Sequence, residues 1–202
     1  MVKLRKKEID KTLKRDFEIS IREHQILIDK IKSSKHLKNI NQISNLIANS
    51  LKKAGTVFWC GNGGSASDSQ HLSAELLGRL KKNRRPLRSI SLSSNISAIT
   101  CISNDFGYDK IFSRQIEGLA RKSDIIVCIS TSGRSKNILE ALKIAKRKKI
   151  KTISFLGGNG GKALKLSQNS IVIPSKNTAR IQEMHIFVGQ LICSNVEKIL
   201  KL

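Results

Sequence analysis

Aromatic side chains are scarce in this 202-residue chain, at 4% with one tryptophan and one tyrosine. That scarcity bears on partners. Proteins that grip single-stranded nucleic acid interleave basic residues with aromatics on which bases stack. Here the basic stretches at 3–14, 79–88 and 143–151 contain no aromatic residue, and no nucleic-acid module is recognisable, so nucleic acid is not an expected partner. Acidic residues are few as well: 15 Asp and Glu face 38 Lys and Arg, a formal net charge of +23. Such a field attracts anions in general, and lysine-rich composition alone also produces a solvated basic face. No apolar run approaches the roughly 20 residues a membrane helix needs. The opening Met1-Val2-Lys3-Leu4-Arg5-Lys6-Lys7-Glu8 is basic with no apolar stretch behind it, unlike a secretory signal. The early acids Glu8, Asp10 and Asp16 speak against a mitochondrial transit peptide. The four cysteines, Cys60, Cys101, Cys128 and Cys193, form no C-x-x-C pair. They read as buried thiols of a reducing cytoplasm rather than as a disulfide or zinc cluster.

What is present is a regular alternation. Residues 4–54 read as helical, with Ile9, Leu13, Phe17, Ile21 and Ile28, then Ile40, Ile43, Leu46, Ile47 and Leu51, at helical spacing. Ser33-Ser34 marks a break, and Gly55 is expected to cap the second helix. Short β-branched runs follow at 56–60, 89–92, 124–129, 151–156 and 170–173. Helical stretches separate them at 66–80, 96–103 with 110–120, 135–149 and 161–166, and a long helix closes the chain at 178–200. Runs that are apolar throughout, rather than alternating, mark parallel strands covered on both faces. The expected fold is therefore α/β: a doubly wound, five-stranded, mainly parallel sheet with long N- and C-terminal helices. The expected organisation is a helical segment at 1–54 and a domain at 55–202, packed as one globular unit.

In such sheets ligands bind at the carboxyl ends of strands, beside helix N-termini. Two loops take that place. Gly61-Asn62-Gly63-Gly64-Ser65 follows the first strand, and Ser130-Thr131-Ser132-Gly133-Arg134-Ser135 follows the third. The second offers hydroxyl donors, a glycine that lets N–H groups turn inward, and a helix N-terminus, which together suit a phosphate. Neither is a P-loop, and Gly61 to Ser65 is not a dinucleotide fingerprint, since its third glycine comes too early. No nucleotide cofactor is expected. Further on, His71 and Glu75 are four apart on one helix face, a spacing fit for a metal or for acid–base work, and equally for a surface pair. Asn104-Asp105-Phe106-Gly107 reads as a turn whose polar residues can meet sugar hydroxyls. Arg180-Ile181-Gln182-Glu183-Met184-His185 reads alone as a solvated helix face.

Taken together, Cys60-Gly61-Asn62-Gly63-Gly64-Ser65, His71 with Glu75, Gly78-Arg79, Asn104-Asp105-Phe106-Gly107, Ile129 to Gly133 with Ser135, and Arg180-Ile181-Gln182-Glu183 resemble the SIS (sugar isomerase) domain, most closely that of the phosphoheptose isomerases. The resemblance runs from about residue 35 to the end of the chain. It implies isomerisation of sedoheptulose 7-phosphate to D-glycero-D-manno-heptose 7-phosphate, through an enediol-like state, for surface polysaccharide. It implies Glu75 as the base and Ser130, Thr131, Ser132 and Ser135 as the phosphate anchor. Asn62, Gly63, Gly64, Ser65, Glu75, Asn104, Asp105 and Gln182 would contact the sugar. His71, Glu75 and Gln182 would be metal ligands in members that carry zinc. The family is typically a homotetramer with sites shared between subunits.

One position departs from the pattern. The family usually carries a second histidine eight residues after this glutamine, and this chain has Gln190. Glutamine hydrogen-bonds but does not shuttle a proton. His185 is no substitute, since it and Gln190 lie about 140° apart around a helix. The alternative reading is a non-catalytic SIS module that binds a sugar phosphate or a protein partner such as a replication initiator.

Overall fold

The structure, a computed structural model, describes residues 2–202. Five strands, β1 (Val57–Gly61), β2 (Ser89–Ser91), β3 (Ile125–Ser130), β4 (Lys151–Gly157) and β5 (Asn169–Ile173), form one sheet in the order β2-β1-β3-β4-β5. Every neighbouring pair is parallel, so the expected mainly parallel sheet is parallel throughout. The helices are α1 (Val2–Ile31), α2 (Ser34–Lys52), α3 (Gly64–Leu77), α4 (Ile96–Phe106), α5 (Ser113–Leu119), α6 (Lys136–Arg147), α7 (Ala163–Leu166) and α8 (Thr178–Ile199), with a 3-10 turn at Tyr108–Lys110.

The apolar strands divide their residues between two cores. Val57, Trp59, Ile125, Val127, Ile129, Ile153 and Phe155 face α1, α2, α3 and α8. Phe58, Cys60, Ile126, Cys128 and Leu156 face the side covered by α5, α6 and α7. All six residues of β3 are buried, which is why its sequence shows no polar alternation. Asn95 and Asn177 cap α4 and α8, each accepting a backbone N–H, from Ala98 and Ala179.

Several expectations shift. The left-handed residue that ends α2 is Ala54, with φ 56°, and Gly55 donates its N–H to the Ser50 carbonyl at 2.9 Å. Gly55 is needed for space, because a Cβ there would meet the Ser50 hydroxyl and the Ser123 carbonyl. Cys60, Cys128 and Cys193 are buried thiols, whereas Cys101 is exposed on α4, since this helix buries no residue fully. On α1 the stripe Ile9, Leu13, Phe17 and Ile21 is exposed, while Leu27 and Ile31 enter the core. The helical spacing is real, but only its C-terminal part finds a partner within one chain.

The direction of α3 matters for the site. Ser69 Oγ lies 2.8 Å from Ser91 Oγ, and Ser89 Oγ donates to Ser73 Oγ at 3.2 Å. Ser89 pairs with Val57, the first residue of β1. Thus α3 starts at the carboxyl edge of the sheet and runs back toward the strand beginnings. Polar hydroxyls pin it down, and Ser89 also accepts the Trp59 indole N–H at 2.9 Å.

Candidate active site

The sheet order reverses between β1 and β3, and there a crevice opens at the carboxyl ends. Gly61 is in register with Ile129, so the loops 61–65 and 130–135 leave the sheet side by side. In the second loop Gly133 has φ 60°, and a Cβ on it would collide with the Gly160 carbonyl oxygen. Glycine alone fits both demands. Ser130 is buried and its Oγ accepts the Gly133 N–H at 3.1 Å, so this hydroxyl shapes the loop from inside. Thr131 and Ser135 are half-buried and Ser132 is exposed. Ser135 is the N-cap of α6 and makes no side-chain cap bond, which leaves its hydroxyl and the first-turn N–H groups open to an anion.

Beside this loop lies a cavity of about 320 Å³ lined by Thr131, Ser132, Arg134, Gly157, Lys176 and Thr178 among others. Lys176 and Thr178 carry no motif and escaped the sequence reading. They follow the carboxyl end of β5, so the same edge rule reaches them. Asn62 is engaged: Tyr108 Oη and Asn137 Nδ2 donate to its Oδ1 at 3.0 and 2.8 Å, and its Nδ2 donates to Asn137 Oδ1 at 3.0 Å. Tyr108 and Asn137 are further residues that only the folded chain brings to the loop. Asn104 and Asp105 lie on the last turn of α4 rather than in a free turn, exposed, with Asn104 Nδ2 donating to Asp105 Oδ1 at 2.8 Å. The Gln182 amide comes in from α8 against Gly64, where a Cβ would collide with its Nε2.

A second cluster sits farther along α3. His71 Nε2 is 3.0 Å from Glu75 Oε1, with the imidazole 51% and the carboxylate 15% exposed. Gln190 Nε2 approaches both, at 3.4 Å from His71 Nε2 and 3.5 Å from Glu75 Oε1. Gly189 permits this approach, since a Cβ there would strike Leu72. One turn before His71, Asp68 has a buried Oδ2 without a hydrogen-bond partner. Burial pushes its carboxyl up to about 6, against the pull of His71. His185 takes no part: it is buried, its Nε2 lies 3.1 Å from the Leu156 carbonyl, and burial lowers it to about 4.

The structure therefore splits the expected site in two. Asn62, Gly63, Gly64, Ser65, Thr131, Ser132, Ser135 and Gln182 gather at the carboxyl edge. His71, Glu75 and Gln190 lie down the flank, Glu75 eleven residues beyond Gly64, or about 16 Å along the helix.

Comparison with known proteins now places the chain. The SIS domain model matches residues 21–157. The phosphoheptose isomerase of a Nitratiruptor species is 46% identical over 176 residues, covering 87% of this chain and 94% of that protein. That of Sulfurimonas denitrificans is 42% identical over 195 residues, covering 96% and 95%. The chain belongs to the phosphoheptose isomerase family of SIS-domain proteins. The structure of phosphoheptose isomerase GmhA from Neisseria gonorrhoeae superposes with a TM-score of 0.84 at 34% identity, over 94% of this chain and 99% of that one. The likeness thus spans the SIS fold together with the terminal helices.

Family membership raises the question of zinc, which the residues of one chain do not fit. His71 and Glu75 are the two strong donors. Gln190 turns its Nε2–H₂ toward them, and Gln182 is at the other end of α3. Among the described residues no three His, Cys, Asp or Glu gather as a metal-binding group.

Proposed function

We propose that this chain is an aldose–ketose isomerase converting sedoheptulose 7-phosphate to D-glycero-D-manno-heptose 7-phosphate. The observation that carries the reading is the Glu75 carboxylate, mostly shielded and 3.0 Å from the His71 imidazole, in a chain 46% identical to a phosphoheptose isomerase. A shielded carboxylate beside a carbonyl-bearing carbon is a competent general base. Glu75 takes a proton from C1 of the ketose. The C–H electron pair becomes the C1=C2 bond, and the C2=O pair moves onto O2. Glu75 then returns the proton to C2 as the carbonyl re-forms at C1, and the O1 proton passes to O2. His71 carries that oxygen-bound proton. Gln190 has no proton to shuttle and orients the carboxylate through its N–H. The redox change is internal to the sugar, C1 being oxidised as its neighbour C2 is reduced.

Thr131, Ser132 and Ser135 hold the phosphate with the first-turn N–H groups of α6, and Ser130 keeps their loop in shape. Asn62, Gly63, Gly64, Ser65, Asn104, Asp105 and Gln182 meet the sugar. A heptose phosphate measures roughly 10 Å from C1 to phosphorus at ordinary bond lengths. Along α3 alone, Glu75 lies about 16 Å beyond Gly64 at the carboxyl edge, farther than that length. This separation supports a site composed across copies, with the base from one and the anchor from another. The exposed Ile9, Leu13 and Phe17 on α1, and Phe187 and Leu191 on α8, supply apolar faces for a homotetramer. The free thiols, including Cys60 and Cys128 with Sγ atoms 3.5 Å apart, accord with a cytoplasmic setting.

The test is turnover of sedoheptulose 7-phosphate by the purified protein beside Glu75→Gln. The expected result is turnover by the wild type and a loss of about 10³-fold or more in the variant, with sugar-phosphate binding retained. Binding without turnover in both proteins would replace the isomerase reading with the non-catalytic module.

A further inference from the structure

Just past the end of α3 is a buried ion pair that the reaction leaves unused. The Arg84 side chain is 2% exposed and donates from Nε to Glu197 Oε1 at 2.9 Å, and the Glu197 side chain is 6% exposed. Arg84 Nη2 donates to the Glu75 carbonyl at 2.7 Å. Its Nη1 donates to the carbonyls of Leu76 at 2.8 Å, Gly78 at 2.9 Å and Arg85 at 3.1 Å. Glu197 Oε1 also accepts the Leu80 N–H at 3.3 Å. The last carbonyls of a helix have no partner within it, and one guanidinium satisfies those of Glu75 and Leu76 together.

A buried ion pair is not in itself a stabiliser, because desolvation offsets the attraction and apolar replacements often do as well. What it supplies is geometry. The guanidinium is a planar fork of five donors in fixed directions, so it dictates where the helix end lies. Helix ends otherwise open locally at little cost, and Glu75 is two residues from the end of α3. Glu197 is on α8 two turns beyond Gln190, on the same face. Cys193 is buried on α8 between Gln190 and Glu197, and burial, with the charges of Glu75 and Glu197, pushes its thiol up against the pull of Arg84. The pair thus fastens the helix carrying His71 and Glu75 to the helix carrying Gln190.

We infer that Arg84 and Glu197 are the positioning pair of the reaction, holding Glu75 in the orientation from which it meets C1. The inference rests on the reading of Glu75 as the base. Two variants test it. Arg84→Lys keeps a cation against Glu197 but loses the fork on the carbonyls. Arg84→Met/Glu197→Leu removes both charges and strands neither. Each is compared with wild type for kcat and KM on sedoheptulose 7-phosphate, for circular dichroism, and for deuterium uptake at 74–80. The expected result is a wild-type spectrum, a kcat reduced about 10- to 100-fold in the double variant and less in Arg84→Lys, a KM within about threefold, and faster uptake at 74–80. A folded double variant with kcat within about twofold of wild type, or a loss expressed in KM alone, overturns the inference. Should the double variant fail to fold, Arg84→Lys is judged by the same criteria. If the wild type itself turns nothing over, the isomerase reading falls, and unchanged uptake at 74–80 in the variants then overturns the clamp separately.

Discussion

At the scale of single residues, α3 presents two carboxylates in contrasting settings. Glu75 has His71 Nε2 and Gln190 Nε2 for company, whereas the buried Oδ2 of Asp68 has no hydrogen-bond partner. Burial raises Asp68 from 3.8 to about 6, so the folded state prefers its neutral form. That preference contributes stability in full below about 3.8 and is lost as pH rises through about 6. At pH 7.5 the ionised side chain is therefore a cost, reduced by its partial exposure. Asp68→Asn is expected to raise the melting temperature by about 2–4 °C at pH 7.5, with the gain disappearing near pH 4. Thermal melts across that range check it, and an equal gain at every pH would contradict it. At the anchor, Ser132→Ala with Ser135→Ala is expected to raise KM about 10-fold or more with a smaller effect on kcat, since hydrogen bonds to a charged group contribute about 1.5–3 kcal/mol each. Unchanged sugar-phosphate affinity would remove the loop from the site.

At the scale of elements, α8 is the piece that joins the two clusters. It brings Gln182 to Gly64, packs Gly189 on Leu72, and sets Gln190 beside Glu75. His185 fastens it to the sheet through the Leu156 carbonyl at 3.1 Å. Burial lowers His185 from 6.5 to about 4, so the neutral ring contributes its stability above about 6.5 and loses it as pH falls through about 4. This one group removes about 3 kcal/mol on acidification across that window. His185→Gln keeps a donor for Leu156 without a titrating ring. Denaturant unfolding at pH 7 and pH 4.5 should show a shallower loss in the variant than in the wild type. Parallel slopes would mean that His185 is charged in the fold.

At the scale of the whole molecule, the proposed composite site draws its anchor and its base from two copies, and the chain has exposed apolar faces on α1 and α8 to receive one. The oligomer is expected to sediment at four times the 22.5 kDa chain mass. Its composite sites lead to a sharper expectation. At substrate well below the raised KM, where Glu75→Gln and Ser132→Ala/Ser135→Ala proteins each turn over slowly, co-assembly should restore turnover to about a quarter of the wild-type value. Random mixing returns an intact anchor to an intact base in that share of sites. No recovery in verified mixed oligomers would place base and anchor in one chain. The net charge of +23 adds a general pull on anionic sugar, so KM should rise with ionic strength.

The sequence by itself determined the parallel sheet and the loops. An all-apolar run such as β3 suits a strand between two layers of helices, and Gly133 among hydroxyl residues marks a tight turn at a helix start, which suits an anion and an ordinary cap alike. It also exposed the substitution at Gln190, because spacing along a single helix is legible without a fold. Which residues share a site was decided by the tertiary structure. By resemblance, Glu75 and the phosphate loop are expected in one site shared between subunits, and the fold alone tells how far apart they lie within one chain. The serine contacts of α3 with β2 carry Glu75 away from the carboxyl edge. Arg84, Asn137, Tyr108 and Lys176 match no local pattern, and their roles come from partners as far as 113 residues away, or from a shared cavity wall. Local periodicity fixes elements, whereas the meeting of side chains depends on packing that no short window of sequence contains.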